Sequence, residues 1–220
     1  MYLSRVGLNV KRRETQQALV LLQLMHAAVE QSFTKHGRRN LWRVDWFENM
    51  CYLLVLSEHQ PDFSHIVKQF GYGETGGEWE TKNYSLLLDR LKEGQTWQFR
   101  LRANPTRSSF REKSTRTGRG KVFAHVTQAQ QKQWLIDTAA PLGFSVSEES
   151  FDIVHTQWDK FSKTRGGKRE VTIRTATFEG ALTVTDSELF RGTLLKGIGR
   201  AKAYGCGLLT VASGRIEQHG

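Results

Sequence analysis

Apolar and polar residues alternate over residues 2–10, as in a strand with one buried face. The polar run Lys11-Arg12-Arg13-Glu14-Thr15 then leads into a 3.6-residue periodicity that predicts a helix as far as about residue 35. Residues 42–47 and 51–57 read as two strands around Glu48-Asn49-Met50, residues 62–70 as a short helix and residues 96–103 as a further strand. The order βαββαβ then recurs. It comprises a strand at 122–125, a helix at 127–140, strands within 145–159 and 170–185, a helix at 186–196 and a strand at 207–212. Two ferredoxin-like βαββαβ units in tandem are the simplest α+β architecture that accommodates this order. The expected division is residues 1–104 for the first unit, 105–121 for a connector and 122–220 for the second. Residues 71–95 are too long an insertion to place.

Charge sharpens the picture. The 220 residues carry a formal net charge of +10, which favours a polyanionic partner such as nucleic acid or an anionic membrane. Residues 104–121 hold six cations against Glu112 among Ser, Thr and Gly, and are expected to form a mobile connector. A second basic run, residues 160–169, contains Lys160, Lys163, Arg165, Lys168 and Arg169 and lies where a hairpin tip projects between two strands. A solvated surface is the ordinary fate of such runs. Few aromatic residues are interleaved, so recognition through shape and phosphate charge is favoured over stacking on single strands. The apolar run at residues 18–25 is broken by Gln23 and followed by His26, and no membrane-spanning segment is expected. Two cysteines, Cys51 and Cys206, cannot form a zinc quartet alone and suit a reduced, cytoplasmic protein.

The segment from Gly197 to Leu209 carries glycines at 197, 199, 205 and 207 around the cations Arg200 and Lys202. Two readings stand. Glycines allow amides to converge on a phosphate, or they let two elements pack closely. Neither the P-loop nor the dinucleotide-binding spacing is present, so no nucleotide cofactor is expected. On the first helix, His26 falls at the border of the stripe formed by Leu19, Leu22, Val29 and Phe33. A lone histidine there is commonly structural. An imidazole is also suited to moving the proton of an RNA 2′-hydroxyl or of a departing 5′ oxygen without a metal. No histidine spacing indicates a metal site, and no serine nucleophile elbow is present.

Several strings taken together resemble the CasE family of CRISPR repeat endoribonucleases across essentially the whole chain. They are Met1-Tyr2-Leu3-Ser4-Arg5-Val6, Met25-His26, Phe99-Arg100-Leu101-Arg102-Ala103-Asn104-Pro105, Phe178-Glu179-Gly180 and the final glycine-rich loop. The resemblance implies tandem ferredoxin-like domains and metal-independent cleavage of CRISPR repeat RNA below its hairpin. It further implies 5′-hydroxyl and 2′,3′-cyclic phosphate ends, and retention of the mature crRNA with the other subunits of Cascade. The family's catalytic histidine falls on His26 and its glycine-rich loop on Gly197 to Gly207. Some members carry a tyrosine three residues before the histidine and cations just after it, whereas this chain has Gln23 and Ala27-Ala28-Val29-Glu30. The stabilising charge is therefore expected from Lys160, Lys163, Arg165, Lys168 and Arg169, with Arg200 and Lys202 as further RNA contacts. A non-catalytic RNA-binding scaffold subunit is the competing reading.

Overall fold

The computed structural model describes residues 1–35, 37–73, 79–113, 120–162 and 170–213. Strand β1 (Tyr2–Leu8) buries Ser4, Val6 and Leu8 and leaves Arg5 outside, the alternation of a sheet with one covered face. Helices α1 (Arg13–Val20) and α2 (Leu22–Gln31) cover that face. They are followed by β2 (Leu41–Phe47), β3 (Met50–Ser57), α3 (Ser64–Phe70) and β4 (Glu80–Asn83). The strands form an antiparallel sheet in the order β2-β3-β1-β4. Glu48 and Asn49 join β2 to β3 with φ of 48° and 65°, the paired left-handed residues of a tight hairpin.

After the short helix α4 (Ser85–Leu88), the second unit begins at β5 (Thr96–Ala103). It continues through a hairpin of β6 (Thr106–Lys113) and β7 (Gly120–Ala124) into α5 (Gln128–Ala139), β8 (Phe144–Ser145), β9 (Phe151–Ser162), β10 (Glu170–Val184), α6 (Ser187–Lys196) and β11 (Leu209–Ala212). Its sheet runs β11-β5-β10, with β8 and β9 both paired to β10. Helix α5 opens on a Thr127/Gln130 capping box, and the Asp186 carboxylate accepts the Glu188 and Leu189 amides at the start of α6. Gly180, with φ of 154°, lets β10 pass beneath the start of β9, where an added Cβ would clash with the Ser150 carbonyl.

The tandem ferredoxin-like architecture is the expected one, but four local expectations are corrected. Strand 96–103 belongs to the second unit. The free edge of β1 is taken by β4, inside the unplaced stretch, while Trp97, Phe99, Leu101 and Ala103 turn into the core beneath α5 and α6. The expected 1–104 boundary therefore moves ahead of β5. The expected connector is a β-hairpin over part of its length, with Thr106 opposite Ala124 and Ser109 opposite Lys121. For the same reason the strand expected at 122–125 pairs with β6 through Val122, Phe123 and Ala124 instead of opening the second unit's sheet. The single helix expected to about residue 35 is two helices, because Leu21 turns to φ −97°, ψ 78°.

The units share their interior. Leu41, Leu56, Tyr84, Leu88 and Leu91 of the first pack in one cluster with Phe99, Phe178, Phe190 and Leu209 of the second. A second cluster around Val6, Met25, Leu53 and Phe63 takes in Phe161 and Ile173 from β9 and β10. Each such large apolar side chain contributes about 1.5–3 kcal/mol when fully buried, so the clusters fix the two halves against each other. Among the described residues no helix is long and apolar enough to cross a membrane.

Candidate active site and nucleic-acid interface

Helix α2 buries Leu22, Met25, Ala28 and Val29 and leaves His26 at the rim with 32 % of its side chain exposed. Its Nδ1 lies 3.9 Å from Glu30 Oε1 and makes no hydrogen bond, and Gln23 Oε1, one turn earlier, is buried without a partner as well. The ring is thus fixed by the helix while its chemistry is uncommitted. No Lys or Arg lies on α2.

The glycine-rich loop packs against this helix. Lys202–Tyr204 form a 3₁₀ turn that touches α2, and the Tyr204 ring meets Phe161 edge-on at 4.6 Å. Gly197, Gly199, Gly205 and Gly207 have φ of 71°, 74°, 70° and 89°. An added Cβ would meet Leu41 at 2.8 Å from Gly197, the Trp42 ring at 2.8 Å from Gly205 and Ile198 O at 2.7 Å from Gly207. The amides of Ile198, Tyr204 and Gly207 donate to carbonyls of Gly207, Ala201 and Arg102. Close packing is therefore the reading these glycines satisfy, and the anion-cradling alternative loses those three amides. Gly205→Ala is expected to lower stability by about 1–3 kcal/mol through backbone strain, with the Trp42 contact adding to it. Thermal unfolding measures the loss, and a variant as stable as the parent would show that the loop can move off Trp42.

Arg102 holds the loop from beneath. Its guanidinium donates to Tyr204 O at 3.0 Å and Gly205 O at 3.3 Å and pairs with Asp159 Oδ2 at 2.8 Å. Asp159 also accepts from Gln157, which in turn bonds His155 at 2.9 Å, so a polar ladder runs along β9 to the loop. Beside it opens a cleft of about 640 Å³ between the units. The first unit lines it with Leu22, Trp42 and Trp46, the second with Arg100 and Arg102. Arg100 lies between Asp45 and Glu179 and pairs with both.

Of the expected RNA contacts, Arg200 is exposed, Lys202 is half-buried with Nζ donating to Lys196 O at 2.8 Å, and Lys160 is exposed opposite Thr172. His26, the loop and the base of the β9–β10 hairpin are thus brought to one side of the molecule. Lys163, Arg165, Lys168 and Arg169 lie outside the described residues. Cys51 and Cys206 are buried, free thiols, and burial pushes them up to about 12 and about 11. Two features escaped the sequence reading. Arg43 is buried between the units, a position its i, i+2 relation to Asp45 on one strand face could have signalled. Arg38 and Arg39 converge with Lys196 and Lys202 from distant elements, which leaves no local signal.

Two ferredoxin-like units built this way, with a rim histidine beside a glycine-rich loop, can be set against known proteins. A family model described as CRISPR associated protein matches residues 1–213. The chain is 32% identical over 225 residues to the CRISPR-associated endoribonuclease Cse3 of Thermus thermophilus, covering 96% of this chain and 100% of that protein. It is 31% identical over 127 residues to the CRISPR system Cascade subunit CasE of Escherichia coli, 56% of this chain and 61% of that protein. A solved structure of the CRISPR endoribonuclease Cse3 bound to 19 nt RNA superposes with a TM-score of 0.77 at 27% identity, covering 96% of this chain and 100% of that one. The chain belongs to this family of CRISPR-associated proteins. Within it, the chain is of the CasE type, that of the type I-E repeat endoribonucleases.

Proposed function

We propose that this chain cuts CRISPR repeat RNA at the base of its hairpin, without a metal, and keeps the product within a Cascade complex in the cytoplasm. The observation that carries this reading is His26, partly exposed at the rim of α2, the helix against which the loop bearing Arg200 and Lys202 packs. The relatives' endoribonuclease activity supports it. In the proposed step the 2′-oxygen attacks the adjacent phosphorus and the P–O5′ bond breaks. One proton leaves the 2′-hydroxyl and one reaches the 5′ oxygen, giving a 2′,3′-cyclic phosphate and a 5′-hydroxyl. His26 serves one of these transfers as general base or acid, and cations stabilise the charge that develops on the phosphoryl oxygens.

The test is a labelled repeat hairpin incubated with excess protein in EDTA. A single cut with a cyclic-phosphate end supports the reading. Tight binding without scission would establish instead the scaffold reading, which the lack of any cation on α2 favours. The basic run has its own test. Replacing Lys163 and Lys168 together by alanine is expected to lower the salt slope of hairpin binding by up to about two, and an unchanged slope would show that neither touches phosphate.

A further inference from the structure

Arg38 and Arg39, on the segment that leaves α2 for β2, converge on Lys196 in the last turn of α6 and on Lys202 of the glycine-rich loop. With Leu195 they line an open pocket of about 500 Å³, and no carboxylate lines it among the described residues. We propose that Arg38, Arg39, Lys196 and Lys202 form a phosphate-binding site that takes the backbone of the bound RNA where it passes α2. This rests on the RNA-binding reading above.

Three observations carry it. Lys202, half-buried, folds back so that Nζ donates to the Lys196 carbonyl, and burial, followed by the charge of Arg39, holds its pKa below the ordinary value. Four cations gathered in this way repel one another, and an anion seated among them removes that cost. The Glu58 carboxylate, which does not line the pocket, accepts the Arg38 backbone amide at 3.0 Å and is lowered chiefly by that bond. The site is also connected to His26, because Lys202 belongs to the turn that packs on α2 while Arg38 and Arg39 continue from that helix. Guanidinium groups suit the paired non-bridging oxygens of a phosphodiester, and Leu195 gives an apolar surface for the ribose. No aromatic side chain lines the pocket among the described residues, so the contact positions RNA without reading its bases.

The experiment is a salt titration of repeat-hairpin binding by the full chain, by Arg39→Gln/Lys196→Gln, and by Arg90→Gln/Lys92→Gln, which removes the same charge from two exposed positions elsewhere. Arg39 and Lys196 are exposed, and thermal unfolding of both double variants is to be run first to check that they fold. The pocket variant is expected to lose about 1.4–1.8 from the magnitude of the log–log slope, two phosphate contacts' worth. The loss is expected to be equal on a scrambled-sequence hairpin, with the control slope unchanged. An unchanged pocket slope, or equal losses in both variants, would overturn the site and leave the pocket open to an acidic protein surface. Absence of salt-dependent hairpin binding by the parent chain would instead overturn the RNA-binding reading itself.

Discussion

Replacing His26 by alanine is expected to slow scission of the repeat hairpin by about 10²–10⁴ while hairpin affinity stays within roughly threefold. The expectation rests on where the ring sits. Leu22, Met25 and Val29 anchor α2 in the core, so truncating His26 at its rim removes a proton carrier without releasing the helix. Single-turnover rates with protein in excess isolate the chemical step from product retention. Partial recovery on adding imidazole would identify the missing group as a proton carrier and not a spacer. Full activity in the variant would end the assignment and direct attention to other groups near the glycine-rich loop.

The second large effect is on folding. Arg43→Met is expected to cost about 3–5 kcal/mol, because it removes one partner from a buried, fully bonded charge. The Arg43 side chain is 2 % exposed. It meets the Asp45 carboxylate at 2.8 and 2.7 Å, the carbonyls of Arg100 and Leu208 at 2.7 and 2.8 Å, and Thr210 Oγ1 at 2.8 Å. Methionine fills much of the volume but leaves two carbonyls without this donor and Asp45 with Arg100 alone. At this chain length the melting temperature should fall by roughly 6–20 °C. Calorimetry or a denaturant series measures it, and a loss below about 1 kcal/mol would show that water replaces the guanidinium at no great cost. Adding Asp45→Asn to the Arg43→Met variant should recover part of the loss, since it removes the charge of a carboxylate left with only the partly exposed Arg100 as partner.

Much of this fold is legible because its periodicities are local. The alternation in β1, the helix periodicity of residues 13–31 and the caps of α5 and α6 lie within short windows. The break between α1 and α2 is invisible for a related reason. Buried positions 15, 18, 22, 25 and 29 keep one helical stripe across Leu21, so hydrophobic pattern alone cannot show the interruption. The allocation of β5 fails differently. Its own pattern is a good strand, but which sheet receives it depends on β4, a four-residue polar strand with one half-buried and three exposed positions. In the site, His26 and the loop stand out by residue type. The packing of the loop on α2, the Arg102 ladder and the four-cation pocket join residues up to about 180 apart in sequence, and no window contains them.

The contacts of Trp42 and Arg43 also bear on how the molecule is made. Trp42 is covered by Gly205, and Arg43 finds two of its partners at Leu208 and Thr210. During synthesis, therefore, the first sheet emerges with an uncovered tryptophan and a half-satisfied guanidinium, and both wait for a segment some 160 residues later. A chain ending before Gly197 would carry His26 and most of the basic surface yet lack what closes its interior. The fold thus makes closure of its interior wait for residues 197–210, and chains lacking them should be recognised by chaperones and proteases before they can occupy RNA.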